Sequence, residues 1–183
     1  MARPVMNHDN YSQDYIRSIL QLVKTIALVG ASNKDVRPSH LVMKYLLSKG
    51  YGVIPVNPGL ADKTILEQKV YARLKDIPVA IDMVDIFKNS EAAGAIVDEA
   101  LQLDPLPKVI WMQLTIRNDA GAQRAEAKGI QVVMNRCPKM EYGKHSGEWG
   151  WVGGASGILS SQRMRLHESG KMQSLGLRLP VKR

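Results

Sequence analysis

Thr25-Ile-Ala-Leu-Val-Gly-Ala-Ser-Asn-Lys-Asp-Val-Arg-Pro-Ser39 is the stretch that decides the fold. An apolar run rich in β-branched residues stops at Gly30, and small and polar residues follow. Pro38 to Lys49 then places Leu41, Val42, Tyr45 and Leu46 on one helical stripe, and Gly50 stops it as a C-terminal cap would. A strand buried on both faces, a turn and a helix form the first half of a parallel βαβ unit.

Outward from this unit the alternation continues. Further strands are expected at Tyr51–Val56, Ile81–Phe87, Lys108–Leu114 and Ile130–Met134. Pro55 inside the second removes a ladder donor, which suggests a strand end or a bulge. Helices are expected at 12–23, with Tyr15, Ile16, Ile19, Leu20 and Val23 on one face, and at 91–103 behind a Ser90 cap. The latter would point Ala92, Ile96, Ala100 and Leu103 inward, and Asn118 caps a shorter helix ending near Gly129. Residues 63–78 read as turns around a short strand near Val70-Tyr71. The expected fold is α/β: a Rossmann-like, doubly wound, mostly parallel sheet of five or six strands with helices on both faces.

The chain's 183 residues suit one domain with an appendage. A hydrophobic content of 45% with 23% charged residues excludes a disordered or fibrous chain. The domain is expected over 1–139, including the N-terminal helix. A basic, Gly/Ser-rich extension would cover 140–183, partly packed through Trp149 and Trp151, trailing off from Ser160 and not folding alone. From Lys139 onward eight basic residues face three acidic ones, so the segment that starts at Lys139 carries +5 of the net +8. A solvated tail explains this charge, and so does a protein, nucleic-acid or acidic-lipid contact. An aromatic content of 5% leaves few stacking platforms and counts against a single-strand nucleic-acid binder. No apolar run approaches the roughly 18 residues of a spanning helix, so no membrane contact is expected. The opening residues lack the apolar core of a signal peptide, and Cys137, the only cysteine, fits a reducing cytosol. A cytoplasmic location is expected.

In such sheets ligands lie beyond the carboxyl ends of the strands. After the first strand, Gly30, Ala31 and Ser32 let backbone approach a phosphate, and the Arg37-Pro38-Ser39 turn adds a guanidinium, a hydroxyl and a helix start. Only Gly30 of a Gly-x-Gly-x-x-Gly pattern is present, so a plain tight turn explains the loop equally well. The second strand ends in Val56-Asn57-Pro58 with no acid for ribose hydroxyls, while Lys63 lies nearby. An uncharged tip beside a lysine suits a phosphorylated ribose, as in NADP or coenzyme A.

These residues resemble the small stand-alone CoA-binding proteins of bacteria and archaea. The resemblance rests on Thr25-Ile-Ala-Leu-Val-Gly-Ala-Ser, Arg37-Pro-Ser, Val53-Ile-Pro-Val-Asn-Pro, Asp82-Met-Val-Asp-Ile-Phe-Lys-Asn-Ser-Glu91, Trp111-Met-Gln-Leu and Asn135-Arg-Cys-Pro138. It covers about residues 12–140. The family's fold is similar to the CoA-binding domain of the succinyl-CoA synthetase alpha subunit. The resemblance implies coenzyme A or an acyl-CoA as ligand. By the same resemblance Gly30, Ala31, Ser32, Arg37, Pro38 and Ser39 would hold the pyrophosphate, and Val56, Asn57 and Pro58 the adenosine side. Lys63 would meet the ribose 3′-phosphate. Ile86, Phe87 and Lys88 would border adenine and pantetheine, and Gln113 would meet the pantetheine amides. The synthetase pattern has a lysine soon after the strand-two proline, where Gly59-Leu60 stand here.

No catalytic constellation accompanies the site. Of the four histidines, only His40 lies near it, and it reads as a helix-start surface residue. Asp82 and Asp85 alternate in the third strand as an acid/base pair would, though Asp85 reads better as bonding backbone amides at the sheet's edge. Cys137 beside Arg136 is either a stabilised thiolate, redox-active or forming a mixed disulfide with CoA, or a small thiol packed in a turn. No residue cluster has metal-ligand spacing, so no metal is expected. The reading that results is a non-catalytic carrier, sensor or partner module. An NADP-dependent oxidoreductase and a nucleotide-responsive interaction protein are its alternatives.

Overall fold

The structure is a computed structural model, and it describes residues 6–147. Ser12 caps α1 (Gln13–Leu22) by accepting from the Tyr15 N–H. β1 (Thr25–Val29), α2 (Pro38–Ser48) and β2 (Gly52–Val56) form the first βαβ unit. The hairpin β3 (Thr64–Ile65) and β4 (Gln68–Lys69) follows, and then β5 (Met83–Ile86), α3 (Ser90–Ala100) and β6 (Val109–Met112). α4 (Asp119–Ala127), β7 (Gln131–Val133) and α5 (Pro138–Ser146) complete the described residues.

The main sheet has five parallel strands in the order β2-β1-β5-β6-β7. Strand parity explains its two cores. Ile26, Leu28, Met83, Val109, Trp111 and Val133 face the layer packed with residues of α1, α2 and α5. Ala27, Val29, Val84, Ile86, Ile110, Met112 and Val132 face the layer containing α3 and α4 residues. The architecture is a Rossmann-like α/β fold. Its connections change direction between β1 and β5, and that switch point locates the crevice at the carboxyl ends.

Several expectations shift. Pro55 sits in β2 at the sheet edge, where its carbonyl accepts from the Tyr71 N–H on the side away from β1. Its missing N–H faces that same outer side and costs no ladder bond. Leu41 is 47% exposed, and Met43 takes the inward position expected of it. α3 is capped by Asn89 rather than Ser90, because the Asn89 carboxamide accepts from the Ala92 N–H while the Ser90 hydroxyl accepts from Arg117 N–H. The inward stripe thereby becomes Ala93, Gly94, Val97 and Ala100, and the helix ends at Ala100. Residues 63–78 contain a β-hairpin where only turns and one strand were expected.

After Met134 the sequence pattern announces no helix, yet α5 forms. Pro38-like pre-organisation by Pro138 opens it, and Gly147 at φ 73° closes it. Tyr142 holds it down by edge contacts with Tyr45 and Tyr51, at 6.0 and 6.1 Å between ring centroids. Trp149, Trp151 and the tail from Ser160 lie outside the described residues. Among the described residues no helix is long and apolar enough to cross a membrane.

Candidate functional site

Gly30 ends β1 at φ +91°, a conformation that side chains with a Cβ rarely adopt. A Cβ there would stand 2.6 Å from the Phe87 carbonyl oxygen, so glycine is what lets the ends of β1 and β5 close together. The N–H groups of Gly30 and Ala31 both donate to the Val56 carbonyl, at 2.9 and 3.3 Å. Asn57 completes the lacing, donating from Nδ2 to the Ala31 carbonyl at 2.7 Å and accepting at Oδ1 from Gly59 N–H at 2.9 Å. The tips of three adjacent strands are thus tied into one platform.

This corrects part of the expected division of labour. The amides of Gly30 and Ala31 are already satisfied, so these two residues shape the loop rather than donate from it. Val56 and Ile86 are buried among the α3/α4-side core, which leaves only their backbone at the crevice. The groups that face outward begin with Ser32, whose carbonyl accepts from His40 Nδ1 at 3.1 Å. That bond requires the imidazole proton to be on Nδ1, and it ties the loop to the first turn of α2. Arg37 is the exposed N-cap residue of α2, with Pro38 exposed and Ser39 buried behind it. Phe87 is half-buried and Lys88 exposed past β5. Lys63 is exposed beyond β2, and the neighbouring carboxylate of Asp62 pairs with Lys69 at 3.4 Å instead.

Gln113 is placed differently from its expected contact with pantetheine. It is 5% exposed, and its Nε2 donates to both carboxylate oxygens of Asp85, at 2.9 and 3.1 Å. Asp85 in turn is not at the sheet's edge. It lies in β5, the central strand, fully buried, and burial pushes its carboxyl up to about 7 against the lowering effect of Gln113. Nor does it pair with Asp82. Burial raises the Asp82 carboxyl, but the Lys108 ammonium and the backbone N–H groups of Thr25 and Lys24 outweigh this and hold it below the usual range. Asp82 therefore ties down the amino ends of the strands, on the opposite face from Asp85. The Asp85–Gln113 contact is the feature that motif reading missed; both residues share the strand face of Met83 and Trp111, and that parity was the available signal.

The buried carboxyl has a testable consequence. It ionises near the ordinary aspartate value of 3.8 when unfolded and at about 7 in the fold, so folding takes up a proton between those values. Its contribution is present in full below about pH 4, declines as pH rises and is gone above about pH 7. Asp85→Asn removes the titration while Gln113 can turn its amide to match. The variant is expected to be about 4 kcal/mol more stable than the parent at pH 8, with the advantage vanishing below about pH 4. Urea denaturation of both proteins at several pH values checks this, and a constant difference between them would contradict it.

Cys137 does not carry a stabilised thiolate. It is buried at the N-cap of α5, and burial pushes its thiol up to about 11 despite N–H bonds from Met140 and Lys139. A thiol so protonated is a poor nucleophile at neutral pH, which favours the packed-thiol reading.

Residues 24–143 match the model of a family described as CoA binding domain. The uncharacterized protein YneT of Bacillus subtilis (strain 168) is 37% identical over 133 residues, 73% of this chain and 96% of its own. A hypothetical protein from Pyrococcus horikoshii OT3 has a solved structure that matches with TM-score 0.69 at 38% identity, covering 79% of this chain and 96% of that one. A Thermus thermophilus protein, cell-free ID.343, matches with TM-score 0.69 at 32% identity, covering 73% and 98%.

Proposed function

Because the chain belongs to the CoA binding domain family, we propose that it binds coenzyme A or an acyl-CoA at the carboxyl ends of β1, β2 and β5, as a carrier, sensor or partner module without chemistry of its own. The observation that carries this reading is the Cβ-free contact of Gly30 with the Phe87 carbonyl at the switch point. It brings bare backbone to the surface at the point where the chain connections reverse direction, in the loop that leads into α2.

The diphosphate lies against Ser32 and the Arg37-Pro38-Ser39 turn, with Gly30 and Ala31 beneath it. Arg37 supplies a planar fork for two phosphate oxygens, and the α2 dipole adds a positive end. The adenosine lies along Asn57 and Pro58, with Val56 as their support. Lys63 meets the 3′-phosphate as a point charge, unopposed by Asp62, which is paired with Lys69. The pantetheine arm then leaves over Phe87 and Lys88. Gln113 keeps its amide on Asp85 and borders the arm through its backbone.

Arg37→Ala and Lys63→Ala are each expected to weaken CoA binding by about 1–3 kcal/mol, the range of a lost charged hydrogen bond. Both side chains are exposed, so stability should stay within about 0.5 kcal/mol of the parent. Isothermal titration of the two variants tests the placement. Affinities equal to the parent's in both would remove the phosphate site from this loop.

A further inference from the structure

A cavity of about 400 Å³ lies between α1 and α5, at the carboxyl ends of β6 and β7. Its volume falls within the usual range for small-molecule sites. Gln13 and Ile16 of α1 form one wall, and Met140, Glu141 and Lys144 of α5 form another. Arg136 closes it from the strand end. Since all five strands are parallel, this cavity opens on the same end of the sheet as the Gly30 loop.

The separation between the two is set by the strand order. From β1 across β5 and β6 to β7 is three strand intervals, or about 14 Å at ~4.8 Å each. An extended chain advances about 1.2 Å per bond. The twelve bonds from the diphosphate oxygen of CoA to its sulfur therefore reach about as far. A diphosphate held at the Gly30 loop, as in the function proposed above on which this inference rests, delivers its thiol end to the mouth of this cavity. Free CoA would leave the cavity filled only by water.

We propose that this cavity is an acyl chamber, and that the protein's preferred ligand is a CoA thioester whose short acyl group carries a polar or carboxylate end. The wall chemistry selects that class. Glu141 is 3% exposed and bonded to Lys144 at 2.8 Å, so this pair is internally satisfied. Arg136 is not neutralised in that way. Its guanidinium donates to the Asn135 carbonyl at 2.9 Å and lies over the Tyr11 ring at 5.5 Å, and no ion pair with a carboxylate engages it among the described residues. It retains donors for an acyl carboxylate. A long alkyl chain would instead strip water from Arg136, Glu141 and Lys144 without replacing it, at a cost in affinity. Cys137 also lines the chamber, and its protonated, packed thiol serves as wall rather than nucleophile.

Isothermal titration of the full chain with CoA, acetyl-CoA, malonyl-CoA and octanoyl-CoA tests the proposal. Malonyl-CoA should bind about tenfold tighter than CoA, as one additional charged hydrogen bond gives, and octanoyl-CoA should gain nothing. In Arg136→Gln, and in Gln13→Trp, which fills the mouth from an exposed helix position, the ratio of malonyl-CoA to CoA affinity should fall to about one. Equal binding of CoA and all three thioesters, or a preference for octanoyl-CoA, would overturn the polar acyl chamber and leave the CoA site standing. Absence of binding by every CoA species would overturn both.

Discussion

Gly30→Val is expected to cost at least about 3 kcal/mol of stability and to leave no measurable affinity for CoA. Two separate effects add. The backbone at φ +91° is strained by about 1–2 kcal/mol for any residue with a Cβ, and more for a β-branched one. The new Cβ would also stand 2.6 Å from the Phe87 oxygen and 3.1 Å from its carbonyl carbon, both backbone atoms of the neighbouring strand end. Backbone cannot swing aside as a flexible side chain does, so β1 and β5 must part at their tips, adding about 1–3 kcal/mol of overpacking cost. That parting reaches the Phe87 N–H bond to Val29 and the lacing of Gly30 and Ala31 to Val56. Urea denaturation together with CoA titration reads both consequences. A variant as stable as the parent would show that the strand tips are not held as described.

Trp111→Ala should be costlier still, by about 3–5 kcal/mol, because it empties the largest fully buried side chain in the molecule's described part. The indole lies in β6 within the core under α1, α2 and α5, and its Nε1–H donates to the Arg136 carbonyl at 2.8 Å. Trp111→Phe separates these contributions. It keeps most of the volume, strands the Arg136 carbonyl and should cost about 1–3 kcal/mol. Denaturant midpoints followed by circular dichroism give the comparison. Equal losses in the two variants would mean that the hydrogen bond, rather than the buried volume, dominates. The same bond fixes the chain direction at Arg136, so the Phe variant also probes how firmly the far end of the crevice is held.

What was legible in the sequence follows from where its signals are local. β1 was read to the residue, since a both-faces-buried strand needs nothing but a short apolar run between a charged residue and a glycine. The Gly30 loop and the bare Val56-Asn57-Pro58 tip were legible for the same reason. α5 was not, because Pro138-Lys-Met-Glu-Tyr-Gly-Lys-His-Ser146 carries little apolar periodicity and a mid-helix glycine. It is held by tertiary contacts of Tyr142 with Tyr45 and Tyr51, which no window along the chain contains. Asn89 and Ser90 are both competent caps, and only the Arg117 N–H, brought by another loop, decides between them. The inward turn of Gln113 likewise depends on Asp85, 28 residues away on the adjacent strand. That pairing explains why a residue at a strand tip, where ligand contact was expected, is committed to the core.

Isothermal titration of the chain in parallel with CoA, dephospho-CoA, NADP and NAD tests the central claim most directly. Saturable binding of CoA, weaker binding of dephospho-CoA and no heat from either nicotinamide dinucleotide is the predicted result. Binding of NADP without CoA, or no binding of any of the four, would contradict it.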